Sequence, residues 1–370
     1  MNECRAFMKT IGSLLITGYM GSDGYTPQTS RGEYLRILPH RKENVSSFHA
    51  GKKSGLHYSY SPERFRELSY VLQKEPGRDF TVLDLADLHF SDYGYRVLFS
   101  LETESVARML VSYAKPDLII LSGDMICSDC SYFSLRRIAD LMDSFGIPWA
   151  PFPGNHDREG NCDTEFICDT LSSSKLCLLR GCDADTGEVS GSIFIKEGGK
   201  TVEALVLLDS YKGRFGASQQ ALLEKISLEA AKDGAEVSVW AHEPIPDFQY
   251  AYDRSFSGGR ALPGEGAFGE KHEEICCERD GGGSPVDRGF FEKAASLGNV
   301  KHFFASHDHN NDFSVTSGGM RMTYCLKAGH CSGFYKGFNG ASVIKIGSSG
   351  IRSIEHRAVR FPGTKTLEIW

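Results

Sequence analysis

Short apolar runs alternate along the chain with longer segments in which apolar residues recur every three or four positions. Residues 81–86, 118–121 and 148–152 are apolar runs of strand length, and the two prolines in the third favour an edge strand. Residues 102–114 and 135–145, which lie between these runs, show the helical spacing. Alternation of this kind predicts a parallel or mixed sheet covered by helices.

The second half of the chain continues this alternation with a larger share of strand. The predicted strands are residues 204–208, 236–241 and 300–305, the predicted helices are 217–231 and 288–296, and residues 320–354 predict successive strands with glycine turns. Residues 255–284 are polar and rich in glycine, which predicts a long loop. Alternation alone is compatible with one sheet or with two.

The pattern is weakest at the N-terminus. Residues 1–75 contain many glycine, serine, tyrosine and basic residues, and they predict an irregular N-terminal extension that lies on the core. Residues 76–370 contain no internal repeat and no low-complexity linker, so a single folded domain is expected there.

Side chains able to bind metal ions follow the predicted strands directly. In chain order they are Asp87, His89, Asp124, Asn155, His156, His242, His307 and His309. Each lies in a loop that leaves the carboxyl end of a predicted strand, which is where ligand sites form in α/β sheets. We therefore expect these side chains, although distant in sequence, to lie close together.

Carboxylate, amide and imidazole groups in one cluster suit a pair of divalent metal ions. Two ions about 3.5–4 Å apart can hold the attacking and leaving oxygens of a displacement at phosphorus. A carboxylate between the ions offsets their repulsion, and mixed nitrogen and oxygen ligands favour Mn, Fe or Zn over Ca or Mg. Because no cysteine belongs to the set, a structural zinc site is disfavoured.

The ordered motifs of the chain resemble those of the calcineurin-like metallophosphoesterase superfamily, over about residues 80–330. They are Asp87-Leu88-His89, Gly123-Asp124, Gly154-Asn155-His156-Asp157, His242 and His307-Asp308-His309. Residues 306–313, SHDHNNDF, and residues 241–246, AHEPIP, resemble segments of the subgroup related to small purple acid phosphatases. The resemblance implies an α/β fold of four layers, in which two mixed β-sheets pack as a sandwich flanked by helices.

The resemblance also implies the role of each matching residue. Asp87, His89 and His309 would hold one ion, Asn155, His242 and His307 the other, and Asp124 both. His156 would stabilise the phosphoryl oxygens and protonate the leaving group, and Asp157 would orient His156. A hydroxide shared by the ions would be the nucleophile. Arg158 is a candidate to contact substrate phosphate or to form a surface salt bridge.

Two positions depart from the subgroup pattern. Cys127 stands where purple acid phosphatases carry a tyrosine ligand, three residues after the aspartate of the second motif, and His89 makes the first motif a DxH. We therefore expect divalent ions and no purple colour. Ser306 replaces the usual glycine before the last motif, which is tolerable unless the backbone there needs a positive φ.

Composition limits the partners and the location of the protein. The chain has a net charge of −7 and no basic run, so no long nucleic acid is expected to bind. The sequence predicts no membrane span, and it does not indicate an oligomeric state. Eleven cysteines without regular spacing are expected to be mainly thiols. A cytoplasmic location is expected, with secretion as the alternative because a short apolar run at residues 11–17 follows Arg5 and Lys9.

Three functions stay open at this point. The first is a phosphatase acting on monoesters, either small molecules or phosphoproteins, and the second is a phosphodiesterase or nuclease with the same ions. The third is a scaffold of this fold without catalysis. The subgroup resemblance favours the monoester, and His156 disfavours the scaffold because a scaffold needs no proton donor. A metallopeptidase is disfavoured because no HExxH motif occurs.

Overall fold

The computed structural model describes residues 69–127, 132–159, 163–179, 189–210, 215–262, 266–280, 286, 289–333, 339–360 and 368–369. Most of the predicted N-terminal extension therefore lies outside the described residues. Its last part is not irregular, because Ser69–Gln73 forms strand β1 with Tyr70 and Leu72 buried at alternate positions. The expected boundary at residue 75 is thus too late, and the folded core includes residue 69.

The helices and strands of the described residues follow the predicted alternation. The helices are α1 (Arg96–Ala114), α2 (Tyr132–Ser144), α3 (Thr164–Ser172), α4 (Ala217–Ala231), α5 (Asp247–Ser255) and α6 (Phe290–Ser296). The strands after β1 are β2 (Phe80–Asp84), β3 (Leu118–Ser122), β4 (Trp149–Phe152), β5 (Gly191–Glu197), β6 (Lys200–Leu208), β7 (Glu236–Ala241), β8 (Phe256–Ser257), β9 (Arg260–Ala261), β10 (Val300–Ala305), β11 (Ser314–Ser317), β12 (Met320–Tyr324), β13 (Gly340–Gly347), β14 (Gly350–Arg360) and β15 (Glu368–Ile369). None of the described helices is both long and apolar enough to cross a membrane.

Two large mixed sheets organise these elements. One sheet has the strand order β1-β5-β6-β7-β10-β12-β11, and the other has the order β15-β14-β13-β2-β3-β4. Parallel pairing runs from β6 through β7 and β10 to β12, and from β2 through β3 to β4. Antiparallel pairs such as β5 with β6 and β13 with β2 make both sheets mixed. The proline-containing strand β4 lies at an edge, as its sequence predicted.

The central strands are buried on both faces. On β2, Val82 belongs to an apolar cluster that also contains Leu205 and Trp240 of the other sheet. Its neighbour Leu83 belongs to a different cluster, which includes Leu110 of α1. Because successive strand residues face opposite sides, β2 packs on the second sheet with one face and on helices with the other. The seven-stranded sheet has helices α4, α5 and α6 on its own outer face. The predicted sandwich with flanking helices is confirmed.

Glu203 on β6 is a fully buried acid beside its register partner Glu236 on β7. The turn residue Gly350 lies against both, since a Cβ there would be 2.6 Å from Glu236 Oε2 and 3.3 Å from Glu203 Oε2. Burial raises the pKa of Glu203 from 4.5 to about 8. The Ser238 side chain acts in the opposite direction and lowers this pKa, whereas the nearby Glu236 carboxylate raises it further. Between about pH 4.5 and pH 8, Glu203 is therefore protonated in the folded protein but ionised in the unfolded chain. The stability of the folded protein falls as the pH rises through this range.

We expect Glu203→Gln to increase the free energy of unfolding at about pH 8.5 by ~2 kcal/mol and to change it little at about pH 5. The physical reason is that glutamine has about the same volume as glutamate but carries no ionisable group. Folding at high pH then no longer requires an ionised carboxylate to be buried or protonated. Urea denaturation at both pH values measures the effect, and Glu229→Gln on the surface of α4 is the matched control. An equal change at both pH values would show that packing, and not ionisation, distinguishes the two side chains.

Candidate metal centre

The candidate metal ligands lie in loops that leave strands of both sheets. Strands β2, β3 and β4 of the six-stranded sheet and β7 and β10 of the seven-stranded sheet end directly before these loops. The site forms where the carboxyl ends of these strands meet, as expected for an α/β sheet. The structure brings together Asp87, His89, Asp124, Asn155, His242, His307 and His309, the full predicted ligand set.

The first group of ligands contains Asp87, His89, Asp124 and His309, whose ligand atoms lie within 4.8 Å of one another. His309 Nε2 is 3.3 Å from Asp87 Oδ1, and His89 Nε2 is 3.5 Å from Asp124 Oδ2. The Nε2 atoms of His89 and His309 are 3.2 Å apart. Two carboxylates and two imidazoles therefore converge on one small volume.

The second group contains His242, His307 and again Asp124. His242 Nε2 lies 3.3 Å from Asp124 Oδ1, 3.2 Å from His307 Nδ1 and 3.3 Å from Asn155 Oδ1. One oxygen of Asp124 faces each group. This is the arrangement that a carboxylate shared between two cations requires.

The unsatisfied atoms of this cluster fit divalent cations. Asp87 Oδ1 and Asp124 Oδ2 are buried and accept no hydrogen bond from the described residues. Burial alone would raise the pKa of Asp124, but the imidazoles of His242 and His89 hold it well below its usual value. Buried ionised carboxylates are costly unless a cation compensates them, so the groups present suit a metal ion in each ligand group.

Tight backbone turns hold the ligands in these positions. Asp87, His89, Asp124 and His307 have φ between 47° and 69°, a region that side-chain-bearing residues seldom adopt. Such strained residues concentrate at functional sites. Gly154 has a further constraint, because a Cβ at this position would lie 2.3 Å from Asp124 Oδ1 and 2.6 Å from the Asp124 amide nitrogen.

We expect Gly154→Ala to weaken metal binding by tenfold or more, in the range seen when groups that orient metal ligands are lost (about 10–100-fold). The added methyl group must displace the shared carboxylate or the loop that carries Asn155. Isothermal titration of metal-stripped protein with Mn or Zn measures the effect. Gly347→Ala is the control, since a Cβ there has no neighbour closer than 3.8 Å. Unchanged affinity in Gly154→Ala would show that the loop can move without affecting the ligands.

The third motif differs from expectation in the partner of His156. The Asp157 carboxylate is fully buried and accepts hydrogen bonds from the Ile126 and Gly154 amides, 3.0 and 2.8 Å away. The predicted contact from Asp157 to His156 is therefore wrong, and His156 Nδ1 instead lies 2.5 Å from Glu159 Oε2. The reason is the 3-10 turn His156–Arg158, in which side chains three residues apart align while the intervening ones point elsewhere.

Arg158 forms an ion pair with Asp209, the residue that follows β6. Its guanidinium binds the Asp209 carboxylate with both terminal nitrogens, and the Arg158 side chain is 16% exposed. Asp209 also accepts from the Val189 amide. Of the two roles considered for Arg158, the salt bridge is present, although it is buried, and it ties the third motif to the end of β6.

Cys127 and Ser306, the two positions that depart from the subgroup pattern, have different surroundings. The Cys127 thiol contacts the His89 carbonyl and Cys331 Sγ, at 3.2 and 3.4 Å, and it belongs to none of the ligand groups found in the described residues. Ser306 has no positive φ, and its Oγ donates to the Ser122 carbonyl, 2.6 Å away. His242 Nδ1 lies near the same carbonyl, which directs His242 Nε2 toward Asp124.

Lys327 is a residue of the site that the sequence analysis missed. Its side chain is buried, and Nζ donates to the Asp87 backbone carbonyl over 2.8 Å. Burial lowers the pKa of Lys327 to about 8, opposed by the carboxylates of Asp87 and Asp124. A lone lysine in an apolar segment, Tyr324-Cys325-Leu326-Lys327-Ala328, is the sequence signal that could have indicated a buried charge near other charges.

Comparison with known proteins places the chain in a family. The model of the calcineurin-like phosphoesterase family matches residues 80–311. Two Arabidopsis thaliana proteins are 24% and 25% identical to this chain. They are named "Probable inactive purple acid phosphatase 14" and "Probable inactive purple acid phosphatase 28", respectively. These matches cover 68% and 73% of this chain and 71% and 75% of those proteins.

There are two further similarities, of which the first covers only part of the chain and the second concerns the fold alone. Phosphodiesterase YaeI of Escherichia coli is 34% identical over 109 residues, which are 29% of this chain and 38% of that protein. The structure of a dimetal phosphatase from Danio rerio is similar with a TM-score of 0.50 at 15% identity, covering 76% of this chain and 95% of that one. Since the family model spans more than half of the 370 residues, the chain belongs to the calcineurin-like phosphoesterase family.

Proposed function

We propose that this protein is a binuclear metal-dependent phosphomonoesterase. The observation that carries the proposal is that two groups of mainly buried ligands share Asp124, with one oxygen of this carboxylate facing each group. Asp87, His89 and His309 would hold one ion, and Asn155, His242 and His307 the other. The bound ions would polarise the phosphoryl oxygens and lower the pKa of water for attack on phosphorus.

His156 is the residue in position to protonate the leaving group. Its Nε2 lies 4.0 Å from Asp124 Oδ2 and its side chain is 37% exposed, so it borders the ligand cluster and is accessible from solvent. The His156 amide donates to Asp124 Oδ1 over 2.9 Å, which couples the position of the imidazole to that of the shared carboxylate. An imidazole in this place can give a proton to the departing oxygen as the P–O bond breaks.

The names of the relatives bear on the choice between a phosphomonoesterase, a phosphodiesterase and a non-catalytic scaffold. The Arabidopsis proteins carry the word inactive in their names. This chain nevertheless has both ligand groups and His156, and a non-catalytic scaffold requires neither. Relatives named for acid phosphatases match over two thirds or more of this chain, which supports a monoester. The phosphodiesterase from Escherichia coli matches over 29%, and this similarity makes diester hydrolysis the second candidate.

Hydrolysis of a chromogenic phosphomonoester and of its diester counterpart tests the proposal. Metal-stripped protein is resupplied with Mn, Zn or Fe, and turnover of both esters is measured against the bound metal. We expect metal-dependent turnover with preference for the monoester. Preference for the diester would favour the second candidate, whereas two bound ions without turnover of either ester or of phosphopeptides would favour the scaffold.

A further inference from the structure

The imidazole of His156 lies between two carboxylates. On one side, Nδ1 is 2.5 Å from Glu159 Oε2, and on the other, Nε2 is 4.0 Å from Asp124 Oδ2. The second oxygen of Glu159 is 3.4 Å from Asn155 Nδ2. Glu159 therefore contacts the residue proposed to protonate the leaving group as well as the neighbouring amide.

The turn that carries Glu159 is anchored by the two residues that lie between His156 and Glu159. Asp157 is fixed inward by the Ile126 and Gly154 amides, and Arg158 is fixed by Asp209. With these two side chains directed away, the 3-10 geometry leaves Glu159 aligned with His156, three residues earlier. The contact thus follows from the fold of the turn, although the Glu159 side chain is 47% exposed.

We propose that Glu159 is the positioning residue of His156, and that it directs His156 Nε2 toward the oxygen that leaves phosphorus. In a neutral imidazole one nitrogen donates and the other accepts, and the partner of the first nitrogen decides which is which. An ionised carboxylate only accepts, so Glu159 makes Nδ1 the donor and leaves Nε2 as the nitrogen that exchanges a proton at the cluster. This inference rests on the proposed function of His156.

The first test needs no catalytic activity. Metal-free protein with ¹⁵N-labelled histidine is examined by NMR at about pH 8.5, and the His156 signal is assigned by its loss in His156→Ala. We expect wild-type His156 to carry its proton on Nδ1. Glu159→Ala should shift the proton toward Nε2, Glu159→Gln should keep it on Nδ1 because its amide oxygen still accepts, and the control Glu165→Ala should change nothing. An unchanged His156 signal in Glu159→Ala would overturn the proposal.

The second test uses the dependence of turnover on the leaving group. A proton donor matters most for esters with poor leaving groups, so Glu159→Ala should reduce turnover of an alkyl phosphate by roughly 10–100-fold, a part of the contribution expected of His156 itself. Turnover of a dinitrophenyl phosphate should stay within about twofold of wild type, since this leaving group departs without a proton. Combining Glu159→Ala with His156→Ala should cost no more than His156→Ala alone.

Other outcomes separate the proposal from its alternatives. Equal losses for both esters, or additive losses in the double variant, would mean that Glu159 serves general structure and not His156. A loss of bound metal in Glu159→Ala would mean that it acts through Asn155. If wild-type protein hydrolyses neither ester, the proposed function fails, and the NMR result alone then decides whether Glu159 sets the tautomer of His156.

Discussion

Asp124→Asn is expected to lose metal from both ligand groups and to reduce turnover by at least about a thousandfold, because the ions supply most of the acceleration in such sites. Asp124 Oδ1 faces His242, and Asp124 Oδ2 faces His89. Asparagine keeps the shape of the side chain but replaces one oxygen by an NH₂ donor and removes the negative charge that two cations would share. No other carboxylate belongs to both groups of the described residues. Elemental analysis after dialysis and the phosphomonoester assay measure the two losses.

Asp84→Asn is the matched control for this substitution. Asp84, the last residue of β2, is also a fully buried aspartate, but it accepts a hydrogen bond from the Ser122 hydroxyl and belongs to neither ligand group. We expect Asp84→Asn to retain metal, and metal-free Asp124→Asn to unfold at the same temperature as metal-free wild type or above it. Two bound ions in Asp124→Asn would contradict the assignment of Asp124 as the shared ligand.

The central elements of the fold could be predicted because their burial leaves a strong periodic pattern. The predicted helix 217–231 coincides with α4, and the predicted strand 300–305 coincides with β10. Strands buried on both faces must be apolar throughout, and a helix covering one face of a sheet needs an apolar stripe. Both requirements are local and can be read directly in the sequence.

The missed elements are short and are stabilised by distant parts of the chain. The strand Ser69–Gln73 is an edge strand that pairs with β5, more than a hundred residues later. The helix Asp247–Ser255 is polar on average, and Phe248 attaches it to the core by packing against Phe303 and Tyr324. In both cases tertiary contacts outweigh a weak local preference, and a single sequence does not reveal them.

The candidate site, like the fold, could be predicted only in part from the sequence. The motifs predicted which side chains meet, because each follows a strand that ends at the same place. They did not predict that Asp157 binds backbone amides while Glu159 contacts His156, or that Lys327 reaches the Asp87 carbonyl. These contacts depend on the direction of each side chain in a turn and on a partner 240 residues away, and neither follows from motif spacing.

The second large effect is expected for His156→Ala, which should reduce turnover of an alkyl phosphate, whose leaving oxygen needs a proton, by about 10²–10⁴-fold, the usual contribution of a positioned proton donor. The two bound ions should be retained, because His156 belongs to neither ligand group and because its contact with Asp124 Oδ1 comes from the backbone amide, which alanine keeps. Elemental analysis and steady-state kinetics on the same preparation separate the two properties. The loss should appear in kcat, since a group that acts as the P–O bond breaks contributes little to binding of the ground state.

His272→Ala is the control for His156→Ala, since the His272 imidazole pairs with Glu270 and not with the ligand cluster. It should leave turnover within about twofold of wild type, as most substitutions away from a site do. If the His156→Ala protein failed to retain metal, His156 would be a metal ligand and not a proton donor. Full turnover with metal bound would require another group to protonate the leaving oxygen. Because Asp124→Asn removes metal and activity together while His156→Ala removes activity alone, the pair of variants distinguishes the residues that hold the ions from the residue that transfers the proton.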